Sequence, residues 1–287
     1  MDLHGVTALE PAGRVLDGAV PPLAGDVWLA GGTWLFSEPQ PGARRLLDLG
    51  GLGWEPVVLD DDGDLRVAAT CTVQQLTAWT GAPPLVAQCA DAFLAGWKVQ
   101  GVATVGGNLV TALPAAPMVS LLAALDGVAE LWTPPAAPGA EPARRHLPVA
   151  ELVTGDRTTA LAPGELVREV VVPRAHLAAR TAFRRATLTP LGRSASLVVG
   201  RLDAPEHGGQ LVVTVTAATR APLQLRWPSP SSLAEQGGPD AAAAAVDAAV
   251  DGSQPRRTWH DDVHGHPAWR RAMALAQVRE VVRELLA

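Results

Sequence analysis

Short apolar runs punctuated by glycine and proline open the chain. Val27-Trp28-Leu29-Ala30 and Arg45-Leu46-Leu47-Asp48-Leu49 predict two strands, separated by Gly31-Gly32-Thr33 and a proline-bounded loop. Residues 57–59 and 65–69 flank the acidic run 60–64, whose Asp-Gly step predicts a hairpin turn exposed to solvent. Thr72 is placed to cap a helix carrying Gln74, Gln75, Leu76 and Trp79. Pro84 opens a second helix, with Leu85, Val86, Cys89, Phe93 and Trp97 expected on one face. A glycine-rich segment, 101–109, precedes a helix at 118–125, a strand at 128–132 and an exposed loop at 134–142.

The β-branched run 165–172 stops at Pro173, and residues 175–180 read as a boundary. Beyond it, 197–201 and 211–219 predict strands, and the alanine-rich stretch 240–250 predicts a helix of high intrinsic propensity. A last helix from Pro267 should place Leu275, Val278, Val282 and Leu285 on one stripe. Strands and helices mix without regular βαβ alternation, so the expected class is α+β.

Composition narrows the function. The net charge of −6 and scattered arginine pairs give no concentrated basic patch for nucleic acid. No apolar stretch is long enough for a membrane span, and residues 1–16 carry no basic segment leading into an apolar run. A cytoplasmic location is therefore expected. Two cysteines, Cys71 and Cys89, are too few for an all-cysteine metal cluster within the chain and read as buried filler. His260, His264 and His266, with Asp261 and Asp262, lack standard ligand spacing and read as a polar loop rather than a metal site. The nine tryptophans are dispersed and read as packing or interface residues. No nucleophile with a base, triad or carboxylate pair stands out, so no catalytic residue is assigned.

Two glycine turns carry the candidate chemistry: Ala30-Gly31-Gly32-Thr33 and Thr104-Val105-Gly106-Gly107-Asn108. Without a Cβ, glycine lets backbone N–H groups converge on an anion such as a pyrophosphate. Neither turn is a phosphate-binding loop with Gly-Lys-Ser/Thr, and neither fits Gly-x-Gly-x-x-Gly. A single Gly-Gly is usually only a tight turn. Two of them, each after a β-like run, form a more specific pattern.

The order Leu29-Ala30-Gly31-Gly32-Thr33-x-Leu35, Thr104-Val105-Gly106-Gly107-Asn108-Leu109, Ala112-x-Pro114 and Leu121-Leu122-Ala123-Ala124-Leu125-Asp126 resembles the FAD-binding medium subunit of the molybdopterin dehydrogenases. That family includes the flavin components of carbon monoxide dehydrogenase, xanthine dehydrogenase and aldehyde oxidase. The resemblance continues through Phe183-Arg184-Arg185 to the segment from Asp262 to Arg271, where an arginine follows an aromatic residue at the start of the last helix.

This resemblance implies a two-subdomain FAD-binding region of the PCMH type over 1–174 (subdomains about 1–54 and 55–174), then a C-terminal α+β flavoprotein domain over 179–287. It implies that Leu29, Ala30, Gly31, Gly32, Thr33, Trp34 and Leu35, together with Thr104, Val105, Gly106, Gly107 and Asn108, wrap the FAD pyrophosphate with backbone N–H groups. The Thr33 and Thr104 hydroxyls and the Asn108 amide are added donors. Leu161 falls where the family sets an apolar residue against the flavin, and Leu94 is a further ring-packing candidate. Arg184 falls where some members carry a lysine near the ring, a cation that would favour negative charge on reduced flavin.

By the same resemblance, the partners are a [2Fe–2S] subunit and a molybdopterin-binding large subunit in a heterotrimer, with NAD, a quinone or oxygen as acceptor. Three positions depart from the family pattern. Trp34 replaces an Asp or Asn, Pro117 an Asp that bonds the ribose or adenine region, and Leu113 a small polar residue. The chain also has no tyrosine to place near the ring. Three other readings compete: a scaffolding subunit that has lost FAD, a stand-alone flavin reductase, and a generic α+β ligand-binding module, against which the four ordered motifs argue.

Overall fold

Two parallel pairings set the N-terminal part. In the computed structural model, which describes residue 3 and residues 5–287, strands β1 (Ala8–Pro11), β2 (Asp26–Leu29) and β3 (Arg45–Asp48) form a sheet in the order β1-β3-β2. Parallel strands cannot be joined by a tight hairpin, so β2 reaches β3 through a long crossing loop. That loop starts with Ala30-Gly31-Gly32-Thr33. Helix α1 (Ala12–Leu16) packs Ala12, Val15 and Leu16 against Leu47, Leu49 and Leu166. Strand β1 escapes sequence reading because it has no buried alternation: Leu9 is 64% exposed.

The hairpin β4 (Val57–Leu59) and β5 (Leu65–Ala68) turns as its Asp-Gly step predicts, with Asp60 Oδ1 accepting from the N–H groups of Asp62 and Asp64. Helices α2 (Val73–Ala78), α3 (Pro84–Ala92), α4 (Trp97–Gln100), α5 (Val105–Thr111) and α6 (Pro117–Ala124) follow. Thr72 caps α2 in a capping box with Gln75. Helix α3 ends at Ala92, because Leu94 takes a left-handed φ of 55°. Trp97 therefore leaves the face it was expected to share and stands 71% exposed on α4.

Strands β6 (Val128–Thr133) and β7 (Ala143–Pro148), helix α7 (Val149–Leu152), the small pair β8 (Val153–Gly155) and β9 (Thr158–Thr159), and β10 (Leu166–Val172) complete this region. Strands β6, β7 and β10 join β4 and β5 in an antiparallel sheet of order β4-β5-β10-β6-β7, and β8 and β9 pair separately. On it, the Arg168 guanidinium lies 4.2 Å from the Trp54 ring centroid and 5.5 Å from that of Trp132.

After α8 (Arg174–Leu177), strands β11 (Arg180–Ala186), β12 (Ser196–Leu202), β13 (Leu211–Thr216) and β14 (Leu223–Trp227) form an antiparallel meander. Helices α9 (Pro230–Glu235), α10 (Pro239–Ala249) and α11 (Pro267–Leu286) complete the chain. Val198, Val213 and Val215 pack with Ala242, Val246, Val278, Val282 and Leu285. Leu275 is only partly buried, and Val281 joins the stripe instead. Leu197 and Val199 belong to the main core with α6, so the meander is covered on both faces.

Helix α6 is apolar except for Ser120, whose hydroxyl bonds that of Thr216 at 2.6 Å, and it is buried at every residue, which is the signature of a helix in the middle of a core. Each fully buried leucine or valine there contributes about 1.5–3 kcal/mol. A buried Arg201 on β12 clamps its C-terminal end, donating to Ala124 O at 2.7 Å, Asp126 Oδ2 at 2.7 Å and Asp203 Oδ1 at 2.8 Å. Burial opposes the charge on Asp126, but hydrogen bonds from Arg226 and Arg201 outweigh it and hold the carboxyl well below the usual range. Among the described residues, no helix is long and apolar enough to cross a membrane.

Candidate functional site: a cleft between two glycine segments

The crossing loop after β2 and the segment entering α5 face each other across a cleft of about 490 Å³. Gly31 is what lets them meet. A Cβ there would lie 1.9 Å from Val102 O, so any side chain would push the two segments apart. Gly106 serves a different contact: its Cβ would lie 2.5 Å from that of Ala69, so the glycine lets α5 lie directly on the end of β5.

The first segment leaves its donors available. Among the described residues, the backbone N–H groups of Gly31, Gly32, Thr33, Trp34 and Leu35 reach no protein acceptor, and all five residues line the cleft. Such a concave run of unpaired N–H groups is a nest suited to an anion.

The second segment is a helix start rather than an open turn, and it follows α4 rather than a strand. Its amides are already used. Val105 N donates to Cys71 O at 2.8 Å, Gly106 N to Ala69 O at 3.0 Å, and Gly107 N to Thr104 Oγ1 at 3.0 Å. The expectation that these N–H groups wrap a ligand does not match this bonding, because two carbonyls and the Thr104 hydroxyl take them first. What the segment still presents is the Thr104 hydroxyl hydrogen and the Asn108 Nδ2 amide, Asn108 Oδ1 being held by Met118 N at 3.0 Å. Pro117 fits the same arrangement as the first residue of α6, where its missing N–H costs nothing.

Of the residues singled out from sequence, Leu29, Ala30, Gly31, Gly32, Thr33, Trp34, Leu35, Thr104, Gly106, Gly107 and Asn108 line the cleft. Val105 sits behind it in the core. Leu161 packs on the main core instead, and Phe93 rather than Leu94 reaches the lining. Arg184 is also outside. Its Nε donates to Glu280 Oε2 at 2.9 Å and its Nη2 lies 2.7 Å from Glu284 Oε2, because β11 turns that face toward α11.

Among the described residues, the cations that line the cleft are Arg157 and Arg193, and no carboxylate lines it. The cleft is thus locally positive on a chain of net charge −6. The Arg157 guanidinium lies 5.2 Å from the ring centroid of Trp34, a cation–π contact that ties one departure from the family pattern to a cation. Arg157 N donates to Ala112 O, and Ala217 N donates to Pro114 O, so the Ala112-Leu113-Pro114 segment joins both sides of the cleft.

Arg193 and Ser194 lie between β11 and β12, where Arg185 Nε donates to Ser194 Oγ at 2.8 Å and Nη2 donates to Gly192 O. Buried Arg270 donates to Ala195 O at 2.9 Å and Ala217 O at 2.6 Å, bracing the same turn from α11. His260 bonds Asp262 at 3.1 Å, Asp262 bonds Arg270, and His266 caps α11, so these polar residues fasten the domain together. Among the described residues, no group of three or more His, Cys, Asp or Glu side chains could hold a metal ion.

An anion nest, two arginines with no ion pair among the described residues and an apolar wall of Phe93, Leu113 and Val167 define a site for a phosphate-bearing cofactor with a large apolar part. The family described as "FAD binding domain in molybdopterin dehydrogenase" matches residues 25–175, and the chain belongs to it. It is accordingly a flavin-binding component of an oxidoreductase family, and the cleft's donors and charge fit FAD.

Solved structures extend the likeness through the C-terminal part. One is carbon monoxide dehydrogenase from Hydrogenophaga pseudoflava lacking the Mo-pyranopterin moiety of the molybdenum cofactor. It is 20% identical, with 96% of this chain and 94% of that chain covered and a TM-score of 0.73. Quinoline 2-oxidoreductase from Pseudomonas putida 86 is 21% identical, with 100% and 98% covered and a TM-score of 0.69. Reconstituted CO dehydrogenase from Oligotropha carboxidovorans is 19% identical, with 98% and 97% covered and a TM-score of 0.73. No curated protein matches the chain.

Proposed function

We propose that this chain is the electron-transfer subunit of a molybdenum hydroxylase or dehydrogenase, accepting electrons from a [2Fe–2S] subunit and passing them to NAD, a quinone or oxygen. The observation that carries the reading is the run of unpaired N–H groups from Gly31 to Leu35 in a cleft with Arg157 and Arg193 and no carboxylate. Bound FAD supplies the redox chemistry, taking up electrons and giving them on. The chain's own work is to hold it: the 31–35 amides would cradle the pyrophosphate, and the two arginines would offset its charge. Thr104 and Asn108 add side-chain donors, and Phe93 and Leu113 shield the apolar part.

Partner subunits follow from what the chain lacks the chemistry to do. Cys71 and Cys89 are both buried, and burial pushes the Cys71 thiol up to about 12 and Cys89 higher still. Neither is placed as a cluster ligand, so the iron–sulfur cluster of the proposed relay would sit in a partner subunit. A molybdopterin-binding large subunit is the other proposed partner.

The test is the visible absorption spectrum of the purified chain with and without added FAD, followed by acid release of any flavin. A flavin spectrum with about one FAD released per chain is expected. A colourless protein that takes up no FAD, even when co-expressed with its partners, would overturn the cofactor-holding role and leave a scaffolding subunit. Full-rate reduction of a soluble substrate by NAD(P)H with no partner present would instead make it a stand-alone reductase.

A further inference from the structure

Helix α6 spans two cavities. Its N-terminal end borders the FAD cleft, and its C-terminal end borders a second cavity of about 710 Å³ that shares no lining residue with the first. This second cavity lies where the antiparallel sheet of the FAD-binding region meets the C-terminal meander. Its apolar wall includes Leu147, Pro222, Leu223 and Val250.

Three arginines border it, and they are not equivalent. Arg226 is engaged: Nη1 donates to Asp126 Oδ2 at 2.9 Å and Gln210 Oε1 at 3.0 Å, and Nη2 to Asp126 Oδ1 at 2.5 Å. Arg256 makes a single long contact, Nη2 to Ala150 O at 3.4 Å. The Arg257 side chain donates to no acceptor among the described residues, and neither has a salt bridge within 4.0 Å. Asp126 is already held by Arg201 and Arg226, while Asp251, on the loop before Pro255, accepts from Ser253 N at 2.9 Å, and its carboxyl is held below the usual value by Ser253 first and also by the nearby charge of Arg257. Glu151 is the other carboxylate on the wall.

Each guanidinium offers five N–H donors in a planar fork that matches phosphate oxygens two at a time. Two such forks, adjacent in sequence beside an apolar wall, ask for a ligand with a phosphate head and an apolar body. We infer that this interdomain cavity binds an organic phosphate, with Arg256 and Arg257 on the phosphate and Leu147 and Leu223 on the body. The site does not depend on the FAD cleft, from which α6 separates it.

Calorimetry on the full chain, saturated with FAD, tests this with ADP, inorganic pyrophosphate and adenosine as probes. ADP is expected to bind once per chain and adenosine not at all. The double variant Arg256→Ala/Arg257→Ala should weaken ADP binding at least tenfold without changing the FAD released per chain. Arg256→Lys/Arg257→Lys should fall between, and it serves if the alanine pair fails to fold. Absence of heat with both ADP and pyrophosphate would overturn the inference. So would displacement of ADP by FAD, or ADP binding that the alanine pair leaves unchanged.

Discussion

Gly31-Gly32 and Gly106-Gly107 are the same dipeptide, yet the fold uses them in opposite ways. At the first, the backbone amides from Gly31 to Leu35 are left without acceptors among the described residues, and all five residues line the cleft. At the second, the carbonyls of Ala69 and Cys71 and the Thr104 hydroxyl take the amides of Val105, Gly106 and Gly107. One glycine pair builds the nest, and the other seats a helix against β5 so that Thr104 and Asn108 can present side chains. A glycine motif therefore does not report a ligand contact until the acceptors of its N–H groups are known.

The largest expected effect comes from Gly31→Ala. With a Cβ 1.9 Å from Val102 O, the loop must move, and FAD affinity should fall about 100-fold, a loss of about 2.8 kcal/mol at 1.4 kcal/mol per factor of ten. Fluorescence titration of FAD measures it, and near-wild-type affinity would contradict the cradle. Gly106→Ala sharpens the contrast. It should cost about 1–3 kcal/mol of stability in urea unfolding, as overpacking does, while the folded fraction keeps its FAD affinity within about threefold.

Arg157→Ala/Arg193→Ala should leave the unfolding midpoint unchanged and weaken FAD about tenfold, with less dependence of affinity on salt than the wild type shows. Equal salt dependence in both proteins would mean that these cations do not face the pyrophosphate. Thr104→Val should cost about 1 kcal/mol through loss of the cap to Gly107 N, with a smaller effect on FAD.

The last check concerns the clamp on α6, the helix behind both segments. Asp126 is held charged in the fold, so its contribution to stability is full above the unfolded carboxyl value of about 3.9 and fades as pH falls through its lower folded value. Asp126→Asn should remove that part of the acid dependence. An unchanged slope of stability against pH below about pH 4 would show that the clamp does not carry it.

Much of the scaffold was legible along the chain. The Thr72 cap, Pro84 at a helix start, the largely apolar α6 and the Asp-Gly hairpin depend on neighbours within a few residues, and the structure agrees at each. Trp97 was harder, because the left-handed turn at Leu94 ends α3 before the apolar spacing does. Arg184 and Arg185 show why a motif can point to the wrong side chain. Successive strand residues face opposite sides, and only the packing of α11 shows that Arg184 meets Glu280 and Glu284 while Arg185 holds the turn at Gly192 and Ser194.

The sequence by itself determined the glycines that permit close backbone approach, the caps, the apolar helix at the centre and the shortage of cysteines. These follow from local sterics and composition. The tertiary structure alone decided which amides stay unpaired and which arginines reach the cleft. An N–H is free only if no distant carbonyl arrives, and Arg157 and Arg193 come from loops more than 100 residues beyond the nest, brought to it by the packing of the sheets around α6.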